Sequence, residues 1–85
     1  MQYKIYLKPK AVKDLRQLEK SDATRIVDTL ACLENNLAGD VKKLTNFTPE
    51  YRLRVGSFRI LFEIENNDCV MVYRILHRRE AYKKR

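Results

Sequence analysis

Between Tyr51 and Glu65 the chain alternates twice, on either side of Gly56-Ser57, and a β-hairpin is the structure that such a pattern dictates. Glycine at the first central position of a two-residue loop predicts a type II′ turn. That loop would set Val55 opposite Phe58, Arg54 opposite Arg59, Leu53 opposite Ile60, Arg52 opposite Leu61 and Tyr51 opposite Phe62. Tyr51, Leu53, Val55, Phe58, Ile60, Phe62 and Ile64 then share one face, and Arg52, Arg54, Arg59, Leu61 and Glu63 share the other. Asn66-Asn67-Asp68 supplies a second turn, and Cys69 to Leu76, rich in β-branched residues, a third strand. A two-residue loop here predicts Met71, Tyr73 and Ile75 on the apolar face. Val70, Val72, Arg74, Leu76 and Arg78 would join the arginines.

Ahead of this meander the periodicity changes. Tyr3, Ile5 and Leu7 alternate as a short strand. Pro9 suits the first turn of a helix, and Ala11, Val12, Leu15 and Leu18 carry an apolar stripe to about Lys20. Ser21 is the expected N-cap of a second helix with the stripe Ile26, Val27, Leu30, Leu33 and Leu37, ended by Gly39. Asp40 to Pro49 reads as a connection anchored by Val41, Leu44 and Phe47. The predicted order is β-α-α-β-β-β. It is an α+β fold in which a helical hairpin covers one face of an antiparallel sheet.

At 85 residues the chain makes one domain, spanning 1–85. It contains no apolar run near the ~18 residues that a membrane span requires, and its N-terminus is too charged for a signal peptide. Cys32 and Cys69 form neither a disulfide framework nor a metal-spaced cluster, so a cytoplasmic protein with reduced thiols is expected. The net charge of +7 is uneven. Residues 51–85 hold nine basic and four acidic residues, net +5, against nine and seven, net +2, in residues 1–50. Seven of the nine in the second half are Arg, whose planar fork suits phosphate. A directly opposed Arg54–Arg59 pair destabilises a sheet by up to ~1 kcal/mol. Its retention beside apolar Leu61, Val70, Val72 and Leu76 points to a surface that binds a polyanion, nucleic acid first.

The run Tyr51-Arg52-Leu53-Arg54-Val55-Gly56-Ser57-Phe58-Arg59-Ile60-Leu61-Phe62-Glu63-Ile64 resembles the signature hairpin of the RelE/ParE superfamily of bacterial toxins. So do the ending Arg74-Ile75-Leu76-His77-Arg78-Arg79-Glu80-Ala81-Tyr82 and the step Lys43-Leu44. The resemblance covers nearly the whole chain. It implies a microbial RNase-like fold and the toxin of a type II toxin–antitoxin pair, within the RelE branch of ribosome-dependent mRNA interferases. The implied reaction is cofactor-free, metal-independent transesterification in the ribosomal A site: the ribose 2′-OH attacks the adjacent phosphate and the 5′-oxygen leaves. Such chemistry needs a base, cations on the phosphate and an acid.

Carried over by position, Arg52 and Arg54 stand where well-known RelE members have lysine, Arg59 matches the phosphate-binding arginine, and Arg79 (Arg78 if the register slips by one) the arginine that protonates the leaving oxygen. Tyr82 matches a C-terminal tyrosine, at shorter spacing, and is either a base-stacking ring or an anchor. Arginine, with a pKa above ~12, is a poor base. His77 and Glu63 are therefore candidates, although His77 by parity faces the helices and Glu63 also relieves charge. Arg52, Arg74, Arg78, Lys83, Lys84 and Arg85 are the expected RNA contacts. Implied partners are the ribosome, mRNA and an antitoxin whose acidic or amphipathic segment neutralises or displaces the basic tail, with no membrane. The alternative is a ParE-like toxin that inhibits DNA gyrase without cleavage; ParE-type chains generally lack the arginine–tyrosine constellation, so Arg54, Arg59, Arg79 and Tyr82 favour the nuclease. A small RNA-binding module explains the charge but not the ending.

Overall fold

The computed structural model describes residues 2–46 and 48–81. Phe47, Tyr82, Lys83, Lys84 and Arg85 lie outside the described residues. The elements are β1 (Lys4–Leu7), α1 (Pro9–Arg16), α2 (Lys20–Leu33), β2 (Val41–Lys43), β3 (Tyr51–Val55), β4 (Phe58–Glu65), β5 (Cys69–His77) and α3 (Arg78–Ala81). They build one five-stranded sheet in the order β1-β5-β4-β3-β2. The α+β class and the helices over one face are as the sequence indicates. The sheet is mixed rather than purely antiparallel, because β1 joins β5 in parallel, Lys4 opposite Cys69 through Leu7 opposite Val72. The two helices carry the chain from one edge of the sheet to the other, where the expected connection contributes the short strand β2.

Helix boundaries differ from the spacing-based expectation. The first helix stops at Arg16, and a tightened last turn closes it: the Gln17 backbone N–H donates to the Asp14 carbonyl and the Leu18 N–H to the Leu15 carbonyl, both at 3.2 Å. Glu19, extended at φ −62° and ψ 152°, is the residue that starts α2, so Ser21 falls inside the first turn. At the far end α2 stops at Leu33. Asn36 and Leu37 turn the chain with φ of 57°, well before Gly39. Gly39 serves a different need: its φ is +135°, and a Cβ there would stand 3.0 Å from Leu53 Cδ1.

The hairpin register is as the alternation predicts, from Tyr51 opposite Phe62 to Val55 opposite Phe58. Gly56 sits at φ +57° and Ser57 is not left-handed, as a type II′ turn requires. The parity of β5 needs correction. The second turn holds three residues, with Asn66 and Asn67 both left-handed and Glu65 opposite Cys69, which moves Val70 and Val72 onto the helix side. A β-bulge at Tyr73, between the pairs Leu61–Arg74 and Phe62–Val72, slips the strand back. Val70, Val72 and Ile75 are therefore buried, whereas Met71 lies opposite Glu63 on the other face. The two slips cancel, which leaves Arg74 and Leu76 on the arginine side.

The core joins Ala11 of α1 and Ile26, Leu30 and Leu33 of α2 to Leu53, Val55, Ile60, Phe62, Val70, Val72 and Ile75. Val27, expected in the stripe, is half exposed at its rim. Leu61 is buried on the opposite face, and α3, with Ala81 buried, packs against β4 and β5. No helix among the described residues is long and apolar enough to cross a membrane.

Candidate active site

The sheet face opposite the helices presents Arg52, Arg54, Arg59, Leu61, Arg74 and Leu76 in adjoining cross-strand rows. The arginines do not share one environment. Arg54, with 56% of its side chain exposed, donates from Nε to Asp40 Oδ2 at 2.6 Å. Arg52 is buried at 9% exposure; its Nη1 lies 3.4 Å from Asp40 Oδ1 and donates to the Asp40 carbonyl at 3.1 Å, and its Nε has no partner. Loss of hydration alone would raise the Asp40 carboxyl. The hydrogen bond and charge of Arg54, joined by those of Arg52, outweigh it and hold the group below the ordinary aspartate value. Asp40 thus answers the charge of both arginines.

Arg59, directly across from Arg54, folds over the hairpin turn and donates from Nη1 to the Gly56 and Phe58 carbonyls, both at 2.9 Å. The Arg78 N–H donates to the Ser57 carbonyl at 2.7 Å, which docks the start of α3 on the same turn. The exposed Arg78 and Arg79 therefore arrive at the end of the sheet where Arg54 and Arg59 stand. Sequence distance between them, some twenty residues, is removed by the β4–β5 pairing.

Arg74 is committed elsewhere. Its Nε and Nη2 donate to the two oxygens of Asp14 at 2.7 and 3.1 Å, and Asp14 Oδ2 also accepts the Ile75 backbone N–H at 3.0 Å. Beyond Leu7, β1 no longer covers β5, and a carboxylate from α1 takes the ladder position that a strand would fill. Burial would raise the Asp14 carboxyl; the Arg74 and Ile75 hydrogen bonds, with the charges of Arg74 and Lys10, outweigh it and hold it below the usual value. Neither Asp14 nor Asp40 was singled out by sequence. The available signal was that Asp14 is the lone acid of α1 among Lys10, Lys13 and Arg16.

His77 lies on the helix side, opposite Phe58, with the rings edge to face and their centroids 5.8 Å apart. Its Nδ1 accepts the Arg79 backbone N–H at 3.2 Å. A neutral imidazole bonded this way carries its proton on Nε2, so neither nitrogen offers a free lone pair. Glu63 is four positions along β4 from Arg59, about 13 Å at the strand rise. The Cys69 thiol is raised by burial and by the Asp68 carboxylate that accepts its hydrogen bond, which keeps it protonated. Among the described residues no group of three or more His, Cys, Asp or Glu is placed to hold a metal ion.

A basic α+β domain with an arginine-lined open sheet face is the class these features define. Residues 5–82 match the family described as the ParE toxin of type II toxin–antitoxin systems. The chain belongs to the RelE/ParE toxins of type II toxin–antitoxin systems. A Methanocaldococcus jannaschii protein that carries the name RelE1 is 28% identical over 88 residues, which span 98% of both chains. The toxin chain of the RelB–RelE antitoxin–toxin complex from Methanococcus jannaschii superposes with a TM-score of 0.74 at 30% identity, over 91% of this chain and 94% of that one. The archaeal RelE–RelB complex from Pyrococcus horikoshii shares the fold, with a TM-score of 0.73 at 24% identity over 95% and 100% of the two chains.

Proposed function

We propose that this toxin is a ribosome-dependent endoribonuclease that cuts mRNA in the A site by attack of the ribose 2′-OH on the adjacent phosphate, with the 5′-oxygen leaving. The convergence of Arg54, Arg59 and Arg79 at one end of the open face carries the reading. Guanidinium groups gathered there can meet the charge that builds on phosphate oxygens, the largest need of such a reaction. Arg59 clamps phosphate, Arg54 assists it, and Arg79, or Arg78 beside it, protonates the leaving oxygen. Arg52 supports this face from within its ion pair with Asp40 rather than by direct RNA contact, and Arg74 is held at the margin of the face by Asp14. His77 orients α3 through the Arg79 N–H, and Glu63 stands too far along the strand to reach the same ribose. Tyr82 is then the remaining candidate of the three for the 2′-OH proton. The partner is an antitoxin, a reading supported by the RelB-bound forms of the related toxins; an acidic or amphipathic segment of it would answer the excess positive charge of residues 51–85.

Primer extension on mRNA recovered from a translation reaction tests the proposal. Cuts on ribosome-bound message are the expected result; intact message would overturn it and direct the inquiry to gyrase supercoiling. Affinity for RNA or ribosomes is also expected to fall steeply between 50 and 200 mM salt, because several phosphates are neutralised. A flat salt dependence measured by filter binding would remove RNA from this face.

A further inference from the structure

A cleft of about 490 Å³, separate from the Arg54–Arg59 end, is walled by Lys8, Pro9, Lys10, Pro49, Tyr73 and Arg74. The β-bulge at Tyr73 creates it by adding a residue where β5 passes the end of β1. Tyr73 is partly exposed, and the Lys8 ammonium stands over its ring, 5.1 Å from the centroid. Two prolines face the opening, and the Arg74 guanidinium is held rigid by its two bonds to Asp14. The described walls contain no carboxylate other than through that pair, and Lys10 is exposed at the rim.

We infer that this cleft is a nucleobase subsite for single-stranded RNA. A flat ring, rigid apolar walls and mobile cations at the mouth are what a splayed-out base and its phosphate require. Lys8 covers one face of the Tyr73 ring. A cation at an exposed site holds such a face more weakly than a stacked base does, so the base displaces the ammonium toward the phosphate. Arg74 borders the cleft and lies one cross-strand row, about 7 Å, from the Arg59–Leu76 pair. The strand entering the proposed cleavage site would therefore pass here. The placement of the strand rests on the nuclease reading; occupancy of the cleft by a base does not.

Adenosine 5′-monophosphate titrated into the ¹⁵N-labelled protein, followed by amide chemical shifts, tests the subsite without ribosome or cleavage. Saturable shifts at Lys8, Lys10, Tyr73 and Arg74 are expected. Tyr73→Phe should bind within about twofold of wild type, and Tyr73→Leu about tenfold or more weakly. Shifts confined to Arg54 and Arg59, equal binding by Tyr73→Leu, or the same response to inorganic phosphate alone would overturn the inference. A protein that binds the nucleotide here yet leaves message intact keeps the subsite and loses the nuclease reading alone.

Discussion

The Arg59→Ala protein is expected to cut ribosome-bound message at least about a hundredfold more slowly than wild type, while its Tm falls by only a few degrees. The two effects separate because Arg59 contributes little to the core. Its Nη1 bonds reach two turn carbonyls, and partly exposed bonds of that kind are worth about 1 kcal/mol together. The opposed Arg54 supplies no hidden gain on its removal, since Asp40 already answers that charge. On the proposed chemistry, by contrast, a preorganised donor to the phosphate oxygens acts in the transition state, where removal of one such group commonly costs 10²–10³ in rate. Primer extension beside a thermal melt reads both quantities. Arg59→Lys, which keeps the charge and loses the fork, should fall between the two. Unimpaired cleavage by Arg59→Ala would end the assignment of the phosphate clamp, and loss of the circular dichroism spectrum would assign Arg59 to the fold instead.

Asp14→Ala should be the most damaging change to stability among the charged residues, by about 2–3 kcal/mol, or roughly 10–20 °C in Tm for a domain of this size. The substitution orphans a guanidinium and strips the partner from the Ile75 N–H at an edge that β1 no longer covers. Asp14 also makes the stability depend on pH. Its folded carboxyl lies below the ordinary value, so the contribution is fully present above the unfolded pKa of about 3.9 and is lost as the pH falls through the lower folded one. Arg74, raised further by its hydrogen bond to Asp14, stays charged throughout. The stability gap between wild type and Asp14→Asn, measured by urea unfolding, should be constant from pH 5 to 7 and narrow below about pH 4. A gap that persists unchanged at low pH would show that the carboxylate charge is not what holds α1 to β5.

Both predictions depend on contacts that differ in how far the sequence announces them. The Arg54–Arg59 pairing follows from strict alternation around Gly56-Ser57, because a period of two and a two-residue loop leave one register. The ion pairs that tame those arginines do not follow. Asp40 reaches Arg54 only once β2 pairs with β3, and Asp14 reaches Arg74 only once α1 lies along the bare edge of β5, sixty residues away. Arg52, read as a surface cation, is buried for the same reason.

By itself the sequence determined the local structure: the hairpin, two amphipathic helices, the α+β class, the arginine bias of the second half and, through the Tyr51–Ile64 run, the toxin family. Those are short-range properties, set by side-chain periodicity and turn stereochemistry. Only the tertiary structure decided that β1 joins in parallel, that a three-residue turn and the Tyr73 bulge exchange Val70 and Val72 for Met71 and Tyr73 on the helix side, and that Lys8 and Tyr73 meet across a cleft. A one-residue slip inverts every later side chain at almost no local cost. Burial of Val70 and Val72 against Ile26 and Phe62, and not any signal within the strand, selects where those slips fall.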